Sequence, residues 1–414
     1  TVTLAPGASQ SGFGRTGTVD WCTTAKTSPF TAVNGKGYFV NTTSGGITVT
    51  LPSSPSAGDI VSVSDYAKTA ACNAITVGRG GSKIDGLCTN LILETAGIGT
   101  TLVYVDATKG WKPVNSNEVQ NTIKYVTATG GTITTSGDYK IHTFTSDGCF
   151  AVSCAGSATG SDKVSYTVVG GGGGSSGDGA GGGGAGGFRE GKCTSDPYTA
   201  SPLNAPDGLS VSVQTYPITV GGGGTAGPKV SPYAGTSGAN SVFSTITSTG
   251  GGKGGHTNGA NGGSGGGGGR SSPQAGGSGN TPPVSPAQGT NGSPGGPPNG
   301  GDGAGGGGGG TAAGSSNPGN TGGAGGAGAT TSITGSPTAY AGGGGGGTTP
   351  SPSGAGGAGG TGGGGNGASH PSGAAVNGTT NRGGGAGGSS GGPLCQVGAA
   401  GGSGIVIIRY KYQN

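Results

Sequence analysis

Glycine beside a polar group is the pattern in this chain most suggestive of chemistry. GxGxxG, the spacing by which a tight turn brings backbone N–H groups to a pyrophosphate, occurs many times. It carries no information, because glycine supplies 110 of the 414 residues. A phosphate-binding P-loop needs a lysine followed by Ser or Thr. Lys253 is followed by glycine in "GGKGGH" and Lys229 by valine in "GPKV". A GxSxG nucleophile elbow needs a strand, a sharp turn and a helix to expose its serine, whereas "GGSGG" lies inside a glycine run. Seven cysteines and three histidines contain no CxxC, so no zinc spacing is present. Neither an enzyme nor a cofactor or metal site is expected.

The remaining polar candidates read as structural. Asp59, Asp65 and Asp85 stand beside turns, where carboxylates bond the local backbone. His142 lies in an alternating strand, "DYKIHTFTSDG", and reads as a packed or solvent-facing strand residue. Trp21 and Trp111 read as packing residues. Cys72 and Cys88 flank a hairpin expected over 74–86 and are the candidate disulfide, with two separate thiols as the alternative. Cys149 and Cys154, five apart on one strand, point to opposite faces and are not expected to pair. So many cysteines suggest an extracellular setting.

The elements that would carry these residues divide by composition. Residues 1–165 hold 22 glycines and residues 166–414 hold 88. A formal net charge of +4 with no Lys/Arg run gives no nucleic-acid footprint. The longest apolar run, "IVII" at 405–408, is far too short to span a membrane. Methionine is absent, so the numbering is expected to begin after a removed segment or within a longer chain.

Over residues 1–115, "ITVTL", "IVSVSDY", "AITVGRGGSKIDG" and "TLVYVDATKGWKPV" alternate with period two between Gly, Pro and Asp turns. This predicts an all-β module. The segment from "DWCTTAKTSPF" through "LPSSPSAGDIVSV", with "GWKPVN", resembles a β-module of tail-fibre and other structural proteins of tailed phages, marine ones especially. A shorter β-module is expected over 116–163.

The third segment, 164–414, has the composition of a disordered tail, yet it enters through "DKVSYTVVGGGGG" and leaves through "GGSGIVIIRYKY". Strand-like "LSVSVQTYPITVGGGG" and "NSVFSTITSTGGG" punctuate it. Positions three apart recur at Asn258, Asn261, Ser264, Gly267 and Arg270, at Ala324 and Ala327, and at Ala355, Ala358 and Thr361. Three residues per turn is polyproline II geometry. Without Cβ atoms such helices pack side by side and pair their backbones with one another. The predicted fold is therefore all-β followed by a polyglycine II sandwich with short strands and almost no α-helix.

The tract resembles the glycine-rich tip adhesins of phage long tail fibres, through "VVGGGGG", "VQTYPITVGGGG", "SVFSTITS", the serial glycine runs and "GGSGIVIIRY". The resemblance implies a virion protein, outside the cell, that binds a host surface receptor, protein or glycan, through loops joining the helices. Other fibre subunits or copies of itself are implied partners. A purely structural fibre or capsid-decoration protein is the alternative, and a non-viral matrix or ice-binding protein a further one. Strand 164–169 is expected beside 405–409. If run 170–187 leads away from that base and runs then alternate, 188–206, 270–300, 329–341 and 368–382 lie at the far end, with 311–321, 348–353 and 393–397 at the near end. The candidate receptor residues are then Arg189, Tyr198, Arg270, Tyr340, His370 and Arg382, since aromatic and Arg side chains anchor interfaces. On this assignment Cys193 and Cys395 are apart and unbonded.

Overall fold

The structure is a computed structural model that describes residues 19–86, 88, 90–114, 125–156, 161–270, 274–296, 303–316, 319–348, 354–371, 373–392 and 396–413. Among these residues there is no α-helix, and the chain divides into two compact units.

In the first unit successive strands alternate between two sheets. Strands β1 (Asp20–Lys26), β3 (Lys36–Val40) and β5 (Ile60–Asp65) are parallel neighbours in one sheet, and β2 (Phe30–Thr31), β4 (Ile47–Thr50) and β6 (Ile75–Gly78) in the other. Each parallel connection thus passes through a strand of the opposite sheet. The antiparallel strands β7 (Leu91–Leu93), β8 (Gly99–Asp106) and β9 (Gly110–Pro113) complete the two sheets. The period-two pattern puts Tyr38, Val40, Val49, Val63, Val77 and Leu102 between the sheets, with Trp111 fully buried among them.

Several expectations change here. The segment after β6 turns without pairing back, so 74–86 is not a hairpin; β6 pairs with β7 instead. Cys88 is a free, exposed thiol, so Cys72 and Cys88 are not bonded. Trp21 keeps its expected packing role at the module edge, 41% exposed and stacked on Phe39 at 4.8 Å. Two of the three turn carboxylates bond the local backbone as expected, Asp65 accepting the N–H groups of Ala70 and Gly97 and Asp59 that of Ser56. The Asp85 side chain instead pairs with Lys112 at 2.6 Å.

Strands β10 (Val126–Thr129), β11 (Thr132–Ser136), β12 (Tyr139–Phe144) and β13 (Gly148–Ala155) belong to the second unit. They do not form a separate connecting module, because their apolar faces are completed only by distant strands. The second unit continues with β14 (Lys163–Val169), β15 (Phe188–Gly191), β16 (Asn204–Ala205), β17 (Leu209–Ser210), β18 (Thr215–Thr219), β19 (Ser241–Phe243), β20 (Ile246–Ser248), β21 (Ala329–Thr331), β22 (Thr338–Tyr340) and β23 (Ile405–Lys411). β14 lies beside β23 as expected, Val168 opposite Val406, and β12 flanks β23 on its other side. β13 pairs with β18 in a second sheet. Phe150, Phe243, Tyr166, Val406 and Tyr410 fill the space between. Cys149 is exposed and Cys154 buried, on opposite faces of β13.

Between the strands, the glycine tract runs back and forth in short passes. In the pass 170–177, donors rotate with period three. Gly171, Gly174 and Gly177 donate to Ala239, Thr236 and Tyr233, while Gly172 and Ser175 donate to Gly402 and Ala399, and Gly170 and Gly173 to Gly187 and Gly184. The acceptors rotate likewise: Gly171 and Gly174 accept from Gly251 and Gly254, and Gly172 and Ser175 from Gly224 and Gly227. One pass therefore bonds to neighbours on every side, and backbone fills the interior. The pairing satisfies the N–H and C=O groups that burial would otherwise leave open. Ala355, Ala358 and Thr361 face outward, as their spacing predicts, but Ser264 opens a new pass and is fully buried.

Candidate functional site

Every pass spans the slab between a strand end and a loop end, and the first reversal decides which segments reach which. Residues 170–187 are two antiparallel passes, not one, since Gly173 donates to Gly184 and Gly170 to Gly187. The chain turns at Asp178 and Gly179, where φ is +56° and +74°. Non-glycine residues seldom adopt that left-handed region, Asn and Asp most readily. The return pass enters β15, which pairs with β14 at the strand end. Because 170–187 is two passes, 188–206 returns to the strand end instead of reaching the far end.

The loop end is organised around Asp178. Its carboxylate pairs with Arg270 at 3.3 Å and accepts the Gly392 N–H at 3.3 Å. Its carbonyl lies 2.7 Å from His256 Nδ1. The His256 ring lies 4.8 Å from that of Tyr233, whose own carbonyl accepts the Gly177 N–H. Arg270 is held between two glycines: a Cβ on Gly179 or on Gly391 would come within 2.3 Å of its side chain. Its guanidinium thus fastens three reversals together. Beside this anchor the loop "PKVSPY" projects into solvent, with Pro228, Lys229 and Val230 exposed. The chemistry on offer is a cation, an apolar side chain and a half-exposed aromatic pair on a rigid mount. Such an arrangement suits binding. Among the described residues no cluster of His, Cys, Asp or Glu could hold a metal, and no helix is long and apolar enough to cross a membrane.

The six sequence candidates do not gather in one place. Arg270 and His370 reach the loop end, where His370 donates its N–H to Gly354. Arg189, Tyr198, Tyr340 and Arg382 lie at the strand end. Tyr198 and Tyr340 are buried with Ile333, Ile407 and Phe188, and burial raises the Tyr198 phenol pKa strongly. Arg382 donates to the Ala339 carbonyl and lies over the Tyr340 ring. The segments 188–206 and 329–341 are therefore strand-end packing, while Thr348 and Gln396 belong to the loop end. Cys193 carries a free thiol whose pKa burial pushes up to about 11; Cys395 lies outside the described residues. Sequence reasoning passed over Lys229, Val230, Tyr233 and His256. The Pro-bracketed "PKVSPY" between two glycine passes was the signal that could have found them.

A family model described as a glycine-rich domain matches residues 145–411. No curated protein matches the chain.

Proposed function

The chain belongs to the glycine-rich domain family, and from that premise and the loop-end geometry we propose that it is a tail-fibre tip adhesin of a tailed phage. On this reading the passes are polyglycine II helices and the virion presents the loop end to a host-cell surface receptor. The observation that carries the proposal is the difference between the two ends. One is sealed by strands and an aromatic core; the other carries polar reversals and the exposed Lys229–Val230 loop on a backbone-bonded slab. Loops on a rigid scaffold usually carry function. Rigidity also lowers the ordering penalty of binding. Other fibre subunits or further copies of the chain would be its partners in the assembled fibre.

The test is binding of the labelled, purified protein to intact bacteria from a panel of strains. Saturable binding to some strains, lost when 228–233 is replaced by a Gly/Ser loop, is the expected result. Absence of binding to every strain favours the structural fibre or decoration role. Binding that survives the replacement moves the receptor face away from this loop.

A further inference from the structure

Among the described residues of the glycine tract, five asparagines are each followed directly by glycine and are exposed at the edge of the slab: Asn258, Asn261, Asn291, Asn366 and Asn377. In each, the side-chain oxygen accepts from a neighbouring pass and the following glycine donates to that same pass. The Asn258 side-chain oxygen accepts the Ala275 N–H at 2.9 Å, and the N–H of Gly259 donates to the carbonyl of the same Ala275 at 2.9 Å. Asn261 and Gly262 clamp Ser278 in this way, at 2.7 and 3.1 Å, and Asn377 and Gly378 clamp Ala400, both at 2.9 Å. Asn291 accepts from Gly279 while Gly292 donates to Gly277, and Asn366 accepts from Gly359 while Gly367 donates to Gly357. The side chain supplies an acceptor where the outermost pass has no further neighbour, which explains why asparagine stands there.

An Asn–Gly step is also the pair most prone to deamidation, because glycine leaves the backbone free to cyclise. The glycine nitrogen loses its proton and attacks the asparagine Cγ. A new C–N bond forms, the bond to the amide NH2 breaks, ammonia takes up the proton and leaves, and a cyclic imide remains. Water then opens the imide to aspartate or isoaspartate. In the clamp the attacking nitrogen is held by its N–H to a neighbouring carbonyl, and the Asn oxygen is held sideways by a neighbouring N–H. Both must release before nitrogen and Cγ can meet.

We propose that these five Asn–Gly steps are deamidation sites that the folded lattice holds inactive, so that the reaction proceeds only from the opened chain. Isoaspartate adds a carbon to the main chain and breaks the period of three on which the pairing depends. A pass converted to isoaspartate cannot dock again, and its opening becomes irreversible.

The test compares intact protein with protein in denaturant at mildly alkaline pH, following each site by peptide mass mapping. Asn240 is the internal control: it makes the same kind of lateral bond, accepting from Gly250 at 2.9 Å, but precedes Ser241. The expected result is deamidation at least about tenfold slower in the folded chain at all five steps, because the rate follows the open population. Asn240 should be slow in both states. Equal rates in the two states, with circular dichroism showing the fold intact, would overturn the proposal. Chains carrying isoaspartate at these steps that regain full amide protection on removal of denaturant would overturn the claim of irreversibility.

Discussion

Arg409 and Asp196 form an ion pair at 3.2 Å with both side chains almost wholly withdrawn from water, at 3% and 2% exposure. Ser165 also donates to the carboxylate, Arg409 reaches the Ile333 carbonyl at 3.2 Å, and the guanidinium lies 4.4 Å over the Tyr139 ring. These contacts join β12, β14 and β23 to the 193–198 and 331–333 segments. Removing one partner strands a buried charge, so Arg409→Met should lower stability by about 3–5 kcal/mol. Burial already raises the Asp196 pKa, with Ser165 and Arg409 opposing it. Without Arg409 the opposition weakens, and the deficit of the variant should shrink as acid protonates the carboxylate. Denaturant melts at neutral and acid pH check this; a pH-independent deficit would contradict it.

A backbone lattice makes an unusual demand on glycine, and two positions separate the demand from mere composition. A Cβ on Gly183 would lie 2.1 Å from the Gly173 oxygen, whereas one on Gly222 would meet nothing within 4 Å. Gly183→Ala must push two passes apart and should destabilise by about 1–3 kcal/mol or more. Gly222→Ala should be neutral, or stabilising by about 0.5 kcal/mol through the unfolded chain. Amide exchange provides a second readout. Protection should be lost around Gly173 and Ala386 in the first variant and unchanged in the second.

His142 gives the second unit a pH dependence of known sign. Its Nδ1 lies 2.7 Å from the Gly130 carbonyl, an acceptor only, so Nδ1 carries the proton and Nε2 accepts from Tyr410 at 3.0 Å. Burial lowers its pKa from the ordinary 6.5, the Gly130 bond acting the other way. The unfolded chain thus binds a proton more readily than the folded one. Stability is fully present above about 6.5 and falls as pH drops from there towards the folded value. His142→Gln should flatten this part of the melting profile while lowering stability at neutral pH through lost ring packing.

How much of this was legible in the sequence follows from the range of the interactions. Apolar alternation located the strands, and "VSYTVV" with "IVIIRY" located the closing pair, because each ends a tract with nothing else to bury against. The parallel winding of β1, β3 and β5 was not legible, since alternation fixes which face is buried and leaves the neighbour unspecified. The three-residue spacing identified the outward edge at Ala355 and Ala358. The reversals were hard to read among so many glycines: Gly263 and Ser264 change pass without punctuation, and Asp178–Gly179, which turns through left-handed backbone, reads as one more interruption of the run. That is why Arg189, Tyr198, Tyr340 and Arg382 were assigned to the wrong end.

The two ends can be told apart by substitution. Tyr340 is 4% exposed in the strand-end core with Phe188 and Ile407. Tyr340→Ala removes a buried ring and should destabilise by about 3–5 kcal/mol. Any effect on cell binding should then follow the folded fraction. Val230, 61% exposed on the loop end, has little to lose, and Val230→Ser with Lys229→Ala should stay within about 0.5 kcal/mol of the parent. If the proposed adhesin role is correct, the Lys229/Val230 variant weakens binding at full stability, mainly through faster dissociation, because a lost contact acts on the bound state. Thermal melts and cell-binding isotherms on the same preparations separate the outcomes. A Tyr340→Ala protein that melts like the parent would refute the packing assignment. A Lys229/Val230 variant that binds and dissociates like the parent would remove this loop from the receptor face.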